Sequence, residues 1–331
     1  MPDPVRIAVV GAGNIAGQHL PVLRHLPEAD VVALCDADPE VASARAREFD
    51  VPRTFDSVDA LIDWGEYEAV YVLVSVLAVA TVAERFIRLG TPTFIEKPPG
   101  LYSSDTARLA SAVDETGTTA QVGLNRRFYS STLAGRAALL DTGPVVSVTV
   151  HADEDIARIW TNPRFNDEVR RRWIYANGIH ALDLLRYFGG EVARVESWHA
   201  TRVNPMPDSF TAHLEFESGA FGRALVDHFA PRGAGHRYEV RTAAATLTAQ
   251  TGFSRAVLTR ADEDPIEFGL SGDDLDLKPG FPGESRAFLE AARLRRQPEF
   301  PAATIHDALA TMRMVDAISH AEEWAPQPRG D

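Results

Sequence analysis

The sequence predicts an α/β protein of two domains. The first is a Rossmann-type, doubly wound parallel sheet, and the second is an α/β domain on a large, open, mostly antiparallel sheet. Three observations predict this. A strand over Val5–Val10 runs directly into Gly11-Ala12-Gly13-Asn14-Ile15-Ala16. Strand and helix patterns then alternate as far as Leu124. Beyond Ser130, period-2 segments follow one another without helices between them. Alternation implies right-handed crossovers and a parallel sheet covered on both faces. Successive strands imply antiparallel pairing with one face open.

Taken in order, the glycine turn leads into a helix, and residues 31–36 form a buried strand. A helix over 39–49 follows Asp38-Pro39, then a short strand at 53–55 and a helix near 58–64. Next come a strand at 69–74, a helix at 80–89, a strand at 93–96, a helix at 104–116 and a strand at 119–124. A helix at 132–140, a strand at 145–151 and an irregular, Arg-rich stretch open the second half. A helix at 180–188 precedes strands at 192–200, 210–216, 220–228, 238–242, 246–251 and 256–260. Residues 262–282, rich in acids, Gly and Pro, read as a loop. Amphipathic helices at 284–295 and 305–322 close the chain. The expected domains are 1–124, for the nucleotide, and 125–331, for substrate binding and oligomerisation. The closing helices are able to pack back on the first.

Composition narrows the function. At 331 residues the chain can bury a large core, and 45% apolar with 24% charged residues is ordinary for a globular protein. The net charge of −14, from 33 basic and 47 acidic residues, repels nucleic acid and anionic membranes. The longest apolar run is too short for a membrane span. No signal peptide is apparent. One cysteine, Cys35, allows no internal disulfide, which fits a cytoplasmic protein. The histidines are scattered, no second cysteine is present, and no metal site is expected.

The glycine turn carries mechanical reasons. Gly11 permits the tight turn, Gly13 lets the backbone approach a pyrophosphate, and Ala16 lets the helix pack close to the strand. Backbone N–H groups from Asn14 and Ile15 onward then face the phosphates. Asp36 closes the next strand 25 residues past Gly11, near the expected spacing of roughly 20. Its carboxylate can bind the adenosine ribose hydroxyls and repel a 2′-phosphate, favouring NAD. Arg45 and Arg47 leave NADP open, and a helix N-cap is the alternative role for Asp36. Ligands of such sheets lie at the carboxyl ends of strands, so Gly11, Asp36, Ser75, Lys97 and Asn125 belong to one edge.

Three further motifs are Glu96-Lys97-Pro98, Asn125-Arg126-Arg127-Phe128 and Asn177-Gly178-Ile179-His180-Ala181-Leu182-Asp183. With the glycine turn, they make the chain resemble the Gfo/Idh/MocA oxidoreductases over almost its whole length. The resemblance implies NAD(P)-dependent hydride transfer at a carbinol carbon of a sugar or cyclitol. It also implies homodimers or homotetramers built through the open sheet. Glu96 joins the cofactor set. Lys97 is the expected acid/base, aimed by a cis peptide to Pro98, and His180 the expected assistant. Asp183, three residues on, could fix the His180 tautomer or serve a salt bridge to Arg186. Arg127, His151, Trp173 and Asn177 complete the expected substrate set. Arg164, Arg170, Arg171 and Arg172 suit an acidic sugar or, alternatively, pair with the nearby carboxylates.

Two departures stand out. Many dehydrogenase members carry Asp four residues before the histidine, where this chain has Ala176. After Ser75 the family often has Pro and then His, whereas this chain reads Val76-Leu77-Ala78-Val79-Ala80. Two other readings therefore stand beside the dehydrogenase: tightly held NAD used for transient oxidation, and a non-catalytic dinucleotide sensor.

Overall fold

The structure is a computed structural model describing residues 3–204, 206–230, 235–250 and 252–320. The described chain divides into two compact units. One comprises the residues up to Phe128 together with Asp273–Leu309, the other Tyr129–Gly272 together with the residues from Ala310.

In the first unit the chain runs β1 (Val5–Val10), α1 (Ala16–His25), β2 (Ala29–Cys35), α2 (Pro39–Phe49), β3 (Arg53–Phe55), α3 (Val58–Trp64), β4 (Ala69–Val72), α4 (Val76–Arg88), β5 (Thr93–Ile95), α5 (Ser103–Thr116) and β6 (Ala120–Val122). Local chemistry sets the ends. Asp38 caps α2 by accepting from the Glu40 and Val41 N–H groups, with Pro39 in the first turn. Ser57 caps α3, and left-handed Gly65 and Gly117 end α3 and α5. Helix α4 begins at Val76, not at residue 80, because Ser75 already takes the N-cap position. The strand order is β3-β2-β1-β4-β5-β6, all parallel, so the order reverses between β1 and β4.

The second unit contains α6 (Ser130–Leu140), β7 (Ser147–Ala152), α7 (Ile156–Trp160), α8 (Asp167–Arg171), a π-helical turn (Ile174–Gly178) and α9 (Ile179–Gly189). Strands β8 (Val192–Ala200), β9 (Ser209–Phe216), β10 (Phe221–Asp227), β11 (His236–Arg241), β12 (Ala245–Gln250), β13 (Arg255–Arg260) and β14 (Ile266–Gly269) follow. They form one sheet, β14-β13-β12-β11-β7-β10-β9-β8, in which only β7 and β10 run parallel. Helix α9 packs across β7, β10 and β11. Val148, Val150 and Ala152 of β7 are buried while Ser147, Thr149 and His151 between them are only partly so. That alternation separates a covered face from an open one.

Two stretches differ from the sequence reading. The irregular Arg-rich stretch contains α7 and α8, helices too short to show an apolar period. The predicted loop at 262–282 contains β14, fixed by its pairing with β13. Thr251 and residues 321–322, at the ends of predicted elements, lie outside the described residues.

From Asp273 the chain returns to the first unit with α10 (Phe281–Leu294) and β15 (Ala303–Thr304), which pairs antiparallel with β6, and then enters α11 (Ile305–His320). Gln121 Nε2 donates to the Glu284 carbonyl and Gln297 Nε2 to the Thr118 carbonyl, both at 2.8 Å. Aromatic contacts fill the space beneath: Tyr71 stacks on Phe94 at 4.5 Å, and Phe288 meets both edge-on.

Candidate functional site

The glycine turn leaves β1 at the point where the strand order reverses. Gly11 has φ +97°, and a Cβ there would stand 2.6 Å from the Leu73 carbonyl oxygen, so only glycine fits. Nothing lies within 4 Å of a Cβ built on Gly13, which leaves an open cradle at the backbone. Asn14 and Ile15 lead into α1, whose first turn carries no acidic side chain. Asp36 accepts the Ala12 N–H at 2.7 Å through one carboxylate oxygen and the Asp38 N–H at 3.0 Å through the other. The helix cap is therefore Asp38, and Asp36 is held against the glycine turn.

Arg45 reaches the same turn. Its Nε donates to the Ala12 carbonyl at 3.3 Å, and its guanidinium pairs with Glu48 at 2.6 Å. Arg47 is exposed. Next to Asp36, burial and then the Asp36 and Asp56 charges push the Cys35 thiol up to about 11, so it stays protonated.

Ser75 is exposed after β4, and Lys97 is half-buried after β5, joined to Pro98 by a cis peptide. The Glu96 carboxylate turns inward instead, 3.3 Å from Nε2 of fully buried His19. Gly123 gives it room, since a Cβ there would meet the Phe94 ring at 2.9 Å and Glu96 Oε2 at 3.3 Å. His19, which sequence reasoning missed, stacks on Phe281 at 4.3 Å. Asn125 is buried and donates to the Pro279 carbonyl at 3.1 Å; Arg127 is buried with a long bond to the Pro301 carbonyl, 3.4 Å.

In the second unit, half-buried His180 opens α9, one turn after half-buried Asn177. Asn177 sits in the π-helical turn, a feature frequent at functional sites. Its Nδ2 lies 2.5 Å from Glu154, which also receives His236 Nε2 at 2.8 Å. Burial raises the Glu154 carboxyl, but the hydrogen bonds and charge of His236 and the bond from Asn177 outweigh it and hold it below the usual range. Neither Glu154 nor His236 had a signal in the sequence, because the pairing of β7 with β11 is what brings them together.

Other expected residues have partners of their own. Asp183 is 1% exposed and accepts from Thr311 Oγ1 at 2.9 Å. His151 lies on the open face, with Arg237 donating to its Nδ1 at 2.9 Å, whereas α9 covers the other face. Trp173 is buried edge-on against Phe165 at 4.9 Å. Of the arginines, Arg170 pairs with Asp167 at 2.8 Å, and Arg172 lies over the Tyr175 ring at 3.9 Å. Among the described residues, no group of three or more His, Cys, Asp and Glu could hold a metal ion. No described helix is long and apolar enough to cross a membrane.

Comparison with known proteins finds two family models that match this chain. Residues 5–124 match the model of the oxidoreductase family with an NAD-binding Rossmann fold, and residues 139–248 match the GFO/IDH/MocA C-terminal domain. Inositol 2-dehydrogenase of Rhizobium meliloti is 31% identical over 191 residues, 56% of each chain, so the match spans little more than half of that relative. D-xylose 1-dehydrogenase (NADP(+)) 2 of Haloferax volcanii is 25% identical over 95% of this chain and 96% of its own. A dehydrogenase from Chromobacterium violaceum shares the fold with a TM-score of 0.84, at 21% identity over 97% of this chain and 96% of its own.

Proposed function

This chain belongs to the Gfo/Idh/MocA oxidoreductase family, and we propose that it transfers a hydride between NAD and a carbinol or carbonyl carbon of a sugar, sugar derivative or cyclitol. The observation that carries this reading is the glycine turn, with the open cradle at Gly13 and Asp36 bonded to the Ala12 N–H beside it. Gly11, Gly13, Asn14, Ile15 and Asp36 would hold the adenosine and pyrophosphate, and Ser75, Glu96, Lys97 and Asn125 the nicotinamide half. The bound cofactor supplies the hydride acceptor. Lys97 would act as the acid/base that exchanges the hydroxyl proton, and His180 would assist. Glu96, tied to His19, fixes the chain next to Lys97. Asp36 and the commitment of Arg45 to Glu48 and the glycine turn favour NAD over NADP.

The open sheet face exposes Trp198 and Phe221, which fits association of two or four copies. The single buried thiol fits the reducing cytoplasm.

The test is fluorescence titration of cofactor-stripped protein with NADH and NADPH, followed by a polyol screen on wild type and Lys97→Ala. NADH is expected to bind at least tenfold tighter, about 1.4 kcal/mol. Lys97→Ala is expected to lose about 10²-fold or more in turnover while still binding NADH. Binding of neither dinucleotide, or turnover indifferent to Lys97, overturns the reading.

A further inference from the structure

We propose that Glu154, braced by His236, is a positioning residue that locks Asn177 so that its amide oxygen accepts a substrate hydroxyl beside His180. The inference rests on the dehydrogenase reading and deepens it.

The geometry is confined to the second unit. Glu154 follows β7, and its backbone is pinned on both sides: its N–H donates to the Asp227 carbonyl at 2.8 Å, and its carbonyl accepts the Ala230 N–H at 3.1 Å. Its side chain, 14% exposed, lies between Asn177 Nδ2 and His236 Nε2. An ionised carboxylate only accepts hydrogen bonds. Asn177 must therefore present its NH₂ group to Glu154, and His236 must carry its proton on Nε2. The amide that could otherwise flip is fixed, and its remaining acceptor is Oδ1. A carboxylate bound to the NH₂ group polarises the amide and strengthens that oxygen as an acceptor. Asn177 and His180 are three residues apart on adjoining helical turns, so they share a face. One supplies an acceptor, the other a titratable ring. Position 176 is a buried alanine, so no carboxylate on the neighbouring residue duplicates the role.

The experiment follows NADH formation with the best substrate from a panel of myo-inositol, D-xylose, D-glucose and D-glucuronate. It compares wild type with Glu154→Gln, Asn177→Ala and the exchange Glu154→Gln/Asn177→Asp. Glu154→Gln and Asn177→Ala are each expected to lower kcat/KM at least tenfold, with NADH affinity within twofold of wild type. The exchange moves the charge to position 177, where the amide introduced at position 154 donates to it and still accepts from His236. It is expected to recover at least threefold over Glu154→Gln, a gain that a purely structural tether would not give. Asn177→Ala leaves the Glu154–His236 pair in place and reads the role even where Glu154→Gln does not fold. Either single variant within threefold of wild type, or an exchange no better than Glu154→Gln, overturns the assignment alone. Wild type that turns over no member of the panel overturns the dehydrogenase reading and this assignment with it.

Discussion

One buried titratable group from each unit makes a contrast, because the two are of opposite kind. In the first, Glu284 is 1% exposed, and neither carboxylate oxygen has a hydrogen-bond partner among the described residues. Burial, and then the Glu96 charge, push its carboxyl well above the usual range, which favours the neutral acid. In the second, His228 is 1% exposed, and both ring nitrogens lack a partner among the described residues. Burial pushes its ring down to about 4, so it is kept as a neutral base. Desolvation expels charge of either sign. Where a partner is supplied, as His236 and Asn177 supply one to Glu154, the charge stays. The two units should therefore respond to pH in opposite directions, provided they open separately.

The largest effect tests that proviso. Gly11→Ala adds a Cβ 2.6 Å from a backbone oxygen that has no side-chain freedom to move, at a φ that L residues rarely adopt. We expect a loss of about 3 kcal/mol or more. Hydrogen exchange should show it in β1 and β4, with β7 and β10 still protected. Joint loss in both units would break the comparison, because a single opening event cannot have two pH responses. Gly13→Ala is the control. With open space at its Cβ, it should fold like wild type yet bind NADH at least tenfold more weakly, about 1.4 kcal/mol.

The next effect is His228→Leu. A histidine whose folded pKa is depressed takes up its proton more readily when unfolded, so stability falls as pH falls from about 6.5 to about 4. The full window corresponds to about 3 kcal/mol. Thermal melts at pH 7 and pH 5 should show a steeper acid loss for wild type than for His228→Leu, with the difference in β9 and β10 by hydrogen exchange. Equal slopes would mean that His228 is not the acid-sensitive group.

What the sequence made legible follows from the range of the interactions involved. The glycine turn, Asp36 and the alternating strands are local patterns, and the structure places them as the patterns demand. The start of α4 was hidden because Val76 and Leu77 extend an apolar run that already reads as strand. His19 reads as one more inward position of α1, and only the fold brings Glu96 to it. Helical spacing offers Asp183 to His180 or Arg186, and what the spacing could not show is that one of its oxygens also accepts from Thr311, far along the chain. Glu154 and His236 meet only through the register of β7 against β11. The first unit was thus readable as motif, and the second only in fragments.

The smallest expected effect is also the one with the opposite sign. A carboxyl group whose folded pKa is raised keeps its proton in the folded state after the unfolded chain has released it. From about pH 4.5 upward, stability then falls with pH until the folded group ionises too. Each pH unit of that window corresponds to at most about 1.4 kcal/mol. Glu284→Gln removes the proton but keeps the shape, and it sacrifices no hydrogen bond, because the carboxylate oxygens make none among the described residues. Melts at pH 6 and pH 8 should therefore converge for Glu284→Gln while wild type still loses stability between them, with the loosening confined to β1, β4 and α10 by hydrogen exchange. A variant less stable than wild type at pH 8 would mean that the buried carboxyl has a partner that a glutamine cannot replace, and the contrast between the two units would rest on His228 alone.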